Sequence, residues 1–186
     1  MQRKLIWVTV LLTAATLQFA ERSLATPASG FTSTTIAFGR FNAIDVFNHL
    51  IVPRSLSSPN THPHLNLGDV DLSLWFSWQK TNGLSDLYIQ SNVWQPGGTT
   101  GWHSHPGHSL IVVTAGAVSD YDPNTTDCQP TVYTVGMGFI DSGGGHVHNI
   151  RNEGVVTASS IAVQLIPADA DRRLDALQAP ANCPAF

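Results

Sequence analysis

Charge is scarce in this chain. Lys, Arg, Asp and Glu make up 12% of its 186 residues, half of the usual fraction of about 25%. The formal net charge is −4 with the signs scattered, so no basic patch exists to attract nucleic acid. Cysteine is nearly absent, with only two. There is no internal repeat, heptad or low-complexity segment. A chain of this length fits one domain and can bury a real core.

The N-terminal stretch reads as a leader and not as part of the fold. Met1 to Lys4 is basic, Leu5 to Ala20 is mostly apolar, and Ser23-Leu24-Ala25 offers a cleavage site. That order is the pattern of a secretory signal peptide. A membrane anchor is the alternative, but Thr9, Thr13, Thr16 and Gln18 dilute an already short apolar core. Residues 1–25 are therefore expected to be removed, leaving 26–186 as a single domain in a periplasm or the medium, with no membrane partner. In an oxidising compartment Cys128 and Cys183 are expected to form a disulfide. Neither has a Cys or His neighbour at ligand spacing.

What the chain does have is histidine, eight in all, five of them in two clusters. The first cluster is Trp102-His103-Ser104-His105, with His108 just beyond, followed by the apolar run Leu110 to Val113. His103 and His105 are two residues apart, so on a strand they leave the same face about 7 Å apart along the chain. Two imidazoles on one face can grip one metal ion. The second cluster, Gly143 to Asn152, carries His146 and His148 and can supply the third ligand. His62 and His64 have similar spacing, but Pro63 and the turn-forming residues around them indicate a solvated loop from Pro53 to Gly68.

Elsewhere the sequence alternates β-branched and aromatic runs with glycine and proline turns. Strands are expected over Phe31–Phe41, Leu72–Trp78, Asp86–Trp94, Trp102–His105, Ser109–Tyr121 (with a bend at Gly116), Val132–Val135, Val147–Arg151 and Val155–Ile166. Phe41–Val52 reads as strand or short helix, and Asp169–Leu177 as one short helix. Many short strands at this spacing predict an all-β barrel or sandwich.

The two clusters resemble the paired motifs of the cupin superfamily. The first motif is Gly, five residues, His-x-His, three or four residues, Glu, six residues, Gly. Gly97, His103, His105 and Gly116 stand at its matching places. The second is Pro-x-Gly, two residues, His, three residues, Asn, matched by Gly145, His148 and Asn152. The resemblance implies an all-β, cupin-type double-stranded β-helix (jelly-roll) barrel, with the motif core at about 85–166. It implies that His103, His105 and His148 hold one divalent transition metal; cupins often dimerise, so the resemblance leaves both a monomer and a homodimer open.

The chain departs from the pattern twice. Gly143 replaces the proline, and Ser109 stands where the family has its metal-binding Glu. No acidic residue lies between Trp94 and Ser119, so a local shift cannot restore that carboxylate. Ser109 is left to hold a water. His146 is assigned to orient water or substrate, or to act as general acid/base. Gln164, on the last strand, is a candidate pocket contact if its neighbours Val163 and Leu165 face outward. A carboxylate-free, three-imidazole site suits Fe, Zn, Cu or Ni and weakens the case for Mn. Some three-histidine cupins are iron dioxygenases, which makes iron and a small-molecule substrate the first expectation. A non-catalytic binding barrel (sensor or carrier) and a metal-dependent lyase or isomerase are the alternatives.

Overall fold

The structure, a computed structural model, describes residues 27–53, 64–67 and 70–186. The expected leader and His62 lie outside these residues. The described chain is built from β1 (Ser29–Phe41), β2 (Asp45–Pro53), β3 (His64–Leu67), β4 (Val70–Lys80), β5 (Ser85–Thr99) and β6 (His103–Ser104). It continues through β7 (Ser109–Ala115), β8 (Ala117–Tyr121), β9 (Thr131–Thr134), β10 (Gly138–Asp141), β11 (Asn149–Arg151), β12 (Ala158–Pro167) and β13 (Leu174–Asp175). The one helical turn among the described residues is Thr126–Cys128.

Eight strands form one antiparallel, nearly closed barrel in the order β10-β7-β12-β5-β11-β8-β9, with β1 on the other flank of β5. Side chains alternate across a strand, and the sequence obeys that rule where it counts. In β7, Ser109, Ile111 and Val113 are buried while Leu110 and Val112 are exposed. In β12, Ala158, Ser160, Ala162 and Gln164 point inward. The interior thus divides into two parts. One is the apolar cluster of Trp94, Ile111, Val113, Val118, Phe139 and Ile150. The other is polar, formed by Gln90, Asn92, Ser109, Asp141, Ser160 and the histidines.

The remaining strands form a separate sheet, β2-β4-β3. Phe41–Val52, open between strand and helix on sequence, is thus largely strand. Residues 64–67 interrupt the expected loop because Leu65 and Leu67 pair with the apolar start of β4. Phe47, Phe76 and Trp78 of this sheet are exposed.

Two further expectations need correction. The strand expected to end at Gln95-Pro96 runs on to Thr99. Gly98 allows this by packing so tightly on Gly30 that a Cβ there would lie 2.5 Å from the Gly30 carbonyl oxygen. The helix expected over Asp169–Leu177 does not form. A single short helix gains little in isolation, whereas the extended chain pairs Leu174 with Ser104 and Asp175 with His103. Arg172 reinforces this by donating to Thr35 Oγ1 (2.8 Å) and stacking over Tyr88 (4.5 Å).

Two cross-links fasten the ends. Cys128 and Cys183 form the disulfide, which packs beside the buried Trp102 and Tyr121 and ties the C-terminal segment to the loop after β8. A cross-link closing a loop of this size stabilises by about 2–4 kcal/mol. At the other end Arg40 of β1 donates to both oxygens of Asp86 on β5 (2.7 and 2.8 Å) and to Asp169.

The Arg40 guanidinium holds the Asp86 carboxyl below its ordinary value of 3.8. A depressed folded-state value contributes stability above the unfolded-state pKa and loses it as pH falls through the folded one. Melting temperature measured from pH 6 down to pH 2.5 is expected to fall more gently for Asp86→Asn than for the wild type below about pH 4. Parallel curves would show that this pair contributes nothing.

Candidate metal centre

His103, His105 and His148 come together inside the barrel. Their ligand atoms all lie within 4.8 Å of one another. The backbone sets this up: His103 N–H donates to the His148 carbonyl (3.0 Å), and His148 N–H returns a bond to His103 (2.9 Å). That antiparallel bridge joins the two motifs and leaves the His103 and His148 ring centroids 4.7 Å apart. The His103 and His105 rings meet edge-on at 4.8 Å.

Each ring is anchored by its outer nitrogen. His103 Nδ1 donates to the Gly101 carbonyl (2.9 Å). His105 Nδ1 faces the Arg172 carbonyl, to which Gln164 Nε2 also donates at 3.3 Å. His148 Nδ1 pairs with Asp120 Oδ1 at 3.2 Å. Bonds of this kind fix the tautomer and leave Nε2 as the free ligand atom. His148 Nε2 is buried with no hydrogen-bond partner among the described residues, and an orphaned buried nitrogen of this kind is costly unless something else satisfies it. The residues therefore fit a metal ion bound by three Nε2 atoms.

The electrostatics agree for two of the three rings. Burial, helped by the neighbouring His148 and Arg173, pushes His103 well below the ordinary imidazole value. Burial also lowers His105, against the opposing pull of the Arg172 carbonyl. In His148 burial works downward too, but the hydrogen bond and charge of Asp120 outweigh it and raise the ring above its ordinary value. Two imidazoles are thereby held neutral, as ligation requires.

The other candidates separate in space. Ser109 borders the cavity beside the histidines. Gln164 points inward but sits behind His105, 3.0 Å from its Nδ1. His146 stands on the far side of His148 (ring centroids 6.0 Å apart), with Nε2 on Asp122 Oδ1 at 3.0 Å and Nδ1 buried without a partner among the described residues. It does not border the cavity.

The residue that sequence reading missed is Asp141. It lies in β10 directly across from Ser109 in β7. Its side chain is buried and borders the same cavity. Oδ1 accepts the Gly143 N–H (3.0 Å), while Oδ2 lies 3.8 Å from His105 Nε2 and 3.4 Å from Ser109 Oγ. A search for a lost carboxylate along β7 could not find it; strand pairing could. Asp120 was likewise overlooked, although it stands at the first acidic position after the apolar run.

The cavity the histidines border has a volume of about 110 Å³. Phe31, Trp94 and Ile111 give it apolar walls, and Gln90, Asn92, Arg172 and Arg173 give it polar ones.

No family model matches the chain, and no curated protein matches it. Solved structures do. The chain is similar to a cupin domain from Bordetella pertussis Tohama I at 21% identity and a TM-score of 0.37, over 42% of this chain and 80% of that one. It is similar to polyketide cyclase RemF from Streptomyces resistomycificus at 16% identity and a TM-score of 0.42, over 52% and 64%. Similarity to an oxalate oxidase (19% identity, TM-score 0.37) covers 44% of this chain and less than half, 46%, of that one. The described chain is an all-β, nearly closed antiparallel barrel with three histidines converging inside it.

Proposed function

We propose that this protein is an exported, metal-binding cupin that acts on a small molecule through His103, His105 and His148, first of all as an iron-dependent dioxygenase. The observation that carries this reading is the convergence of three imidazoles, two buried and one half-buried, whose Nδ1 atoms are all tied back. One of their Nε2 atoms, that of His148, has no hydrogen-bond partner among the described residues. An imidazole donor set suits Fe, Cu, Ni and Zn. When bound, such an ion supplies Lewis acidity and, as iron, a meeting place for O₂ and a chelating substrate.

The chain's own residues do the rest. Asp120 and the Gly101 and Arg172 carbonyls hold the rings in one orientation. Phe31, Trp94 and Ile111 exclude bulk water, while Arg172 and Arg173 place positive charge beside the cavity. That charge and the small volume favour a compact, oxygen-rich molecule. His146 does not border the cavity, so its proposed part, orienting water or substrate or holding a proton, is an indirect one exerted through its neighbours His148 and Asp122. Turnover of a His146→Gln protein decides that part. Export is supported by the Cys128–Cys183 disulfide, a bond that persists in oxidising compartments. A homodimer belongs to the same proposal, since the exposed Phe47, Phe76 and Trp78 offer apolar surface for a second copy to cover. A light-scattering mass of one chain would remove it.

The test is oxygen consumption by the iron-loaded protein over a panel of small phenols, thiols and diketones, repeated without oxygen. Turnover only in oxygen supports the dioxygenase. Activity that persists anaerobically replaces it with a lyase or isomerase. A folded, metal-free protein that holds a tight organic ligand without turnover replaces it with a binding barrel.

A further inference from the structure

We infer that Asp141 is the fourth, carboxylate ligand of the centre, supplied from β10 because β7 has serine at position 109. The inference rests on the metal-binding reading above and changes its donor set. Antiparallel pairing places the Asp141 and Ser109 backbones opposite each other, and both side chains are buried on the same inner face. In such a pair the two side chains are close neighbours, so a carboxylate moved across the ladder stays within reach of the same point.

The atoms of Asp141 are arranged for this task. Oδ1 is occupied by the Gly143 N–H. Oδ2 is turned to the cavity, with a long contact to the Ser109 hydroxyl and 3.8 Å to His105 Nε2. Adjacent donors bound at about 2.0–2.2 Å from one ion stand about 2.8–3.6 Å apart; Asp141 lies outside the group of ligand atoms within 4.8 Å of one another, so its carboxylate has to close on the ion by a small side-chain movement. A buried carboxylate needs a countercharge, and among the described residues no Lys or Arg pairs with Asp141. A divalent cation beside the three histidines supplies that charge. The site is then not carboxylate-free: one negative ligand offsets part of the ion's charge, moderates its Lewis acidity and brings Mn back among the metals it accepts.

The experiment is Co²⁺ titration of the intact protein, read by the visible d–d absorption and by chelator competition. It compares wild type, Asp141→Asn, Ser109→Ala and the transposed Ser109→Glu/Asp141→Ser. Expected are a change of d–d spectrum and at least about a 10-fold loss of affinity in Asp141→Asn, little change in Ser109→Ala, and recovery in the transposed variant. The transposed variant keeps the test decisive if Asp141→Asn folds poorly. A wild-type spectrum and affinity in Asp141→Asn would overturn the inference and leave the three-histidine reading standing. Weakened binding with an unchanged spectrum and no recovery on transposition would also overturn it, making Asp141 a brace for the Gly143 turn. A wild type that binds no Co²⁺ would instead sink the metal-binding reading itself.

Discussion

Replacing His148 with alanine is expected to weaken metal binding about 100-fold while leaving a folded barrel. Binding worth about 10–16 kcal/mol shared among about four ligands assigns about 3 kcal/mol to each, and that is about two decades in affinity. His148 is the ligand whose removal is cleanest. Its backbone bridge to His103 is made by main-chain atoms and survives the substitution. Its Nε2 has no other described partner to strand. Asp120 is the group left exposed to the change, and it already lies partly open to solvent. Chelator competition on the purified proteins, with melting temperature alongside, measures both halves. Unchanged affinity would mean that the ion sits elsewhere, whatever the stability.

Gly143→Ala is expected to cost about 2–4 kcal/mol of stability and to lower metal affinity as well. A Cβ at this position would lie 2.2 Å from the Gly107 carbonyl carbon, 2.3 Å from its oxygen and 2.7 Å from the His108 nitrogen. All three are backbone atoms, so none can swing aside. The φ of +65° adds its own penalty for any L side chain. The damage reaches the site because Gly107 leads into β7 and Gly143 N–H holds Asp141. Gly144 is the control: its φ is +62°, but a Cβ there meets nothing within 4 Å. Gly144→Ala therefore forfeits only about 1–2 kcal/mol of backbone preference. Urea unfolding of the two variants separates clash from conformation, and equal losses would contradict the account.

This glycine also explains one departure from the motif. The motif that the sequence resembles has proline at this place, and both residues suit turns. Proline is locked near a φ of −65°, so it cannot occupy the +65° that Gly143 adopts. The turn here has another shape, and it carries Asp141 into the cavity wall.

The strands that bear the site were legible because each obeys a local rule. Ser109, Ile111 and Val113 alternate with exposed neighbours, and Gly116 breaks the run at a φ of +64°; the strand expected over Trp102–His105 is shorter, only His103–Ser104, with His105 just past it. The cysteine pair was legible because an even pair in a chain expected to be exported reads as a disulfide. What stayed hidden depends on pairing between distant strands. Nothing near Asp141 in the chain marks it as the neighbour of Ser109, and nothing near Asp120 marks it as the partner of His148. The Asp169–Leu177 segment misled for the same reason. Its residues permit a helix, and only the nearby edge of His103–Ser104, with Thr35 and Tyr88 to receive Arg172, makes the extended form the better one.

Anomalous diffraction from crystals of the metal-loaded protein, collected on both sides of the metal's absorption edge, tests the central claim most directly. The account predicts a single strong peak within bonding distance of the Nε2 atoms of His103, His105 and His148. A protein shown by elemental analysis to carry metal, yet with its peak elsewhere or none at this position, would contradict it.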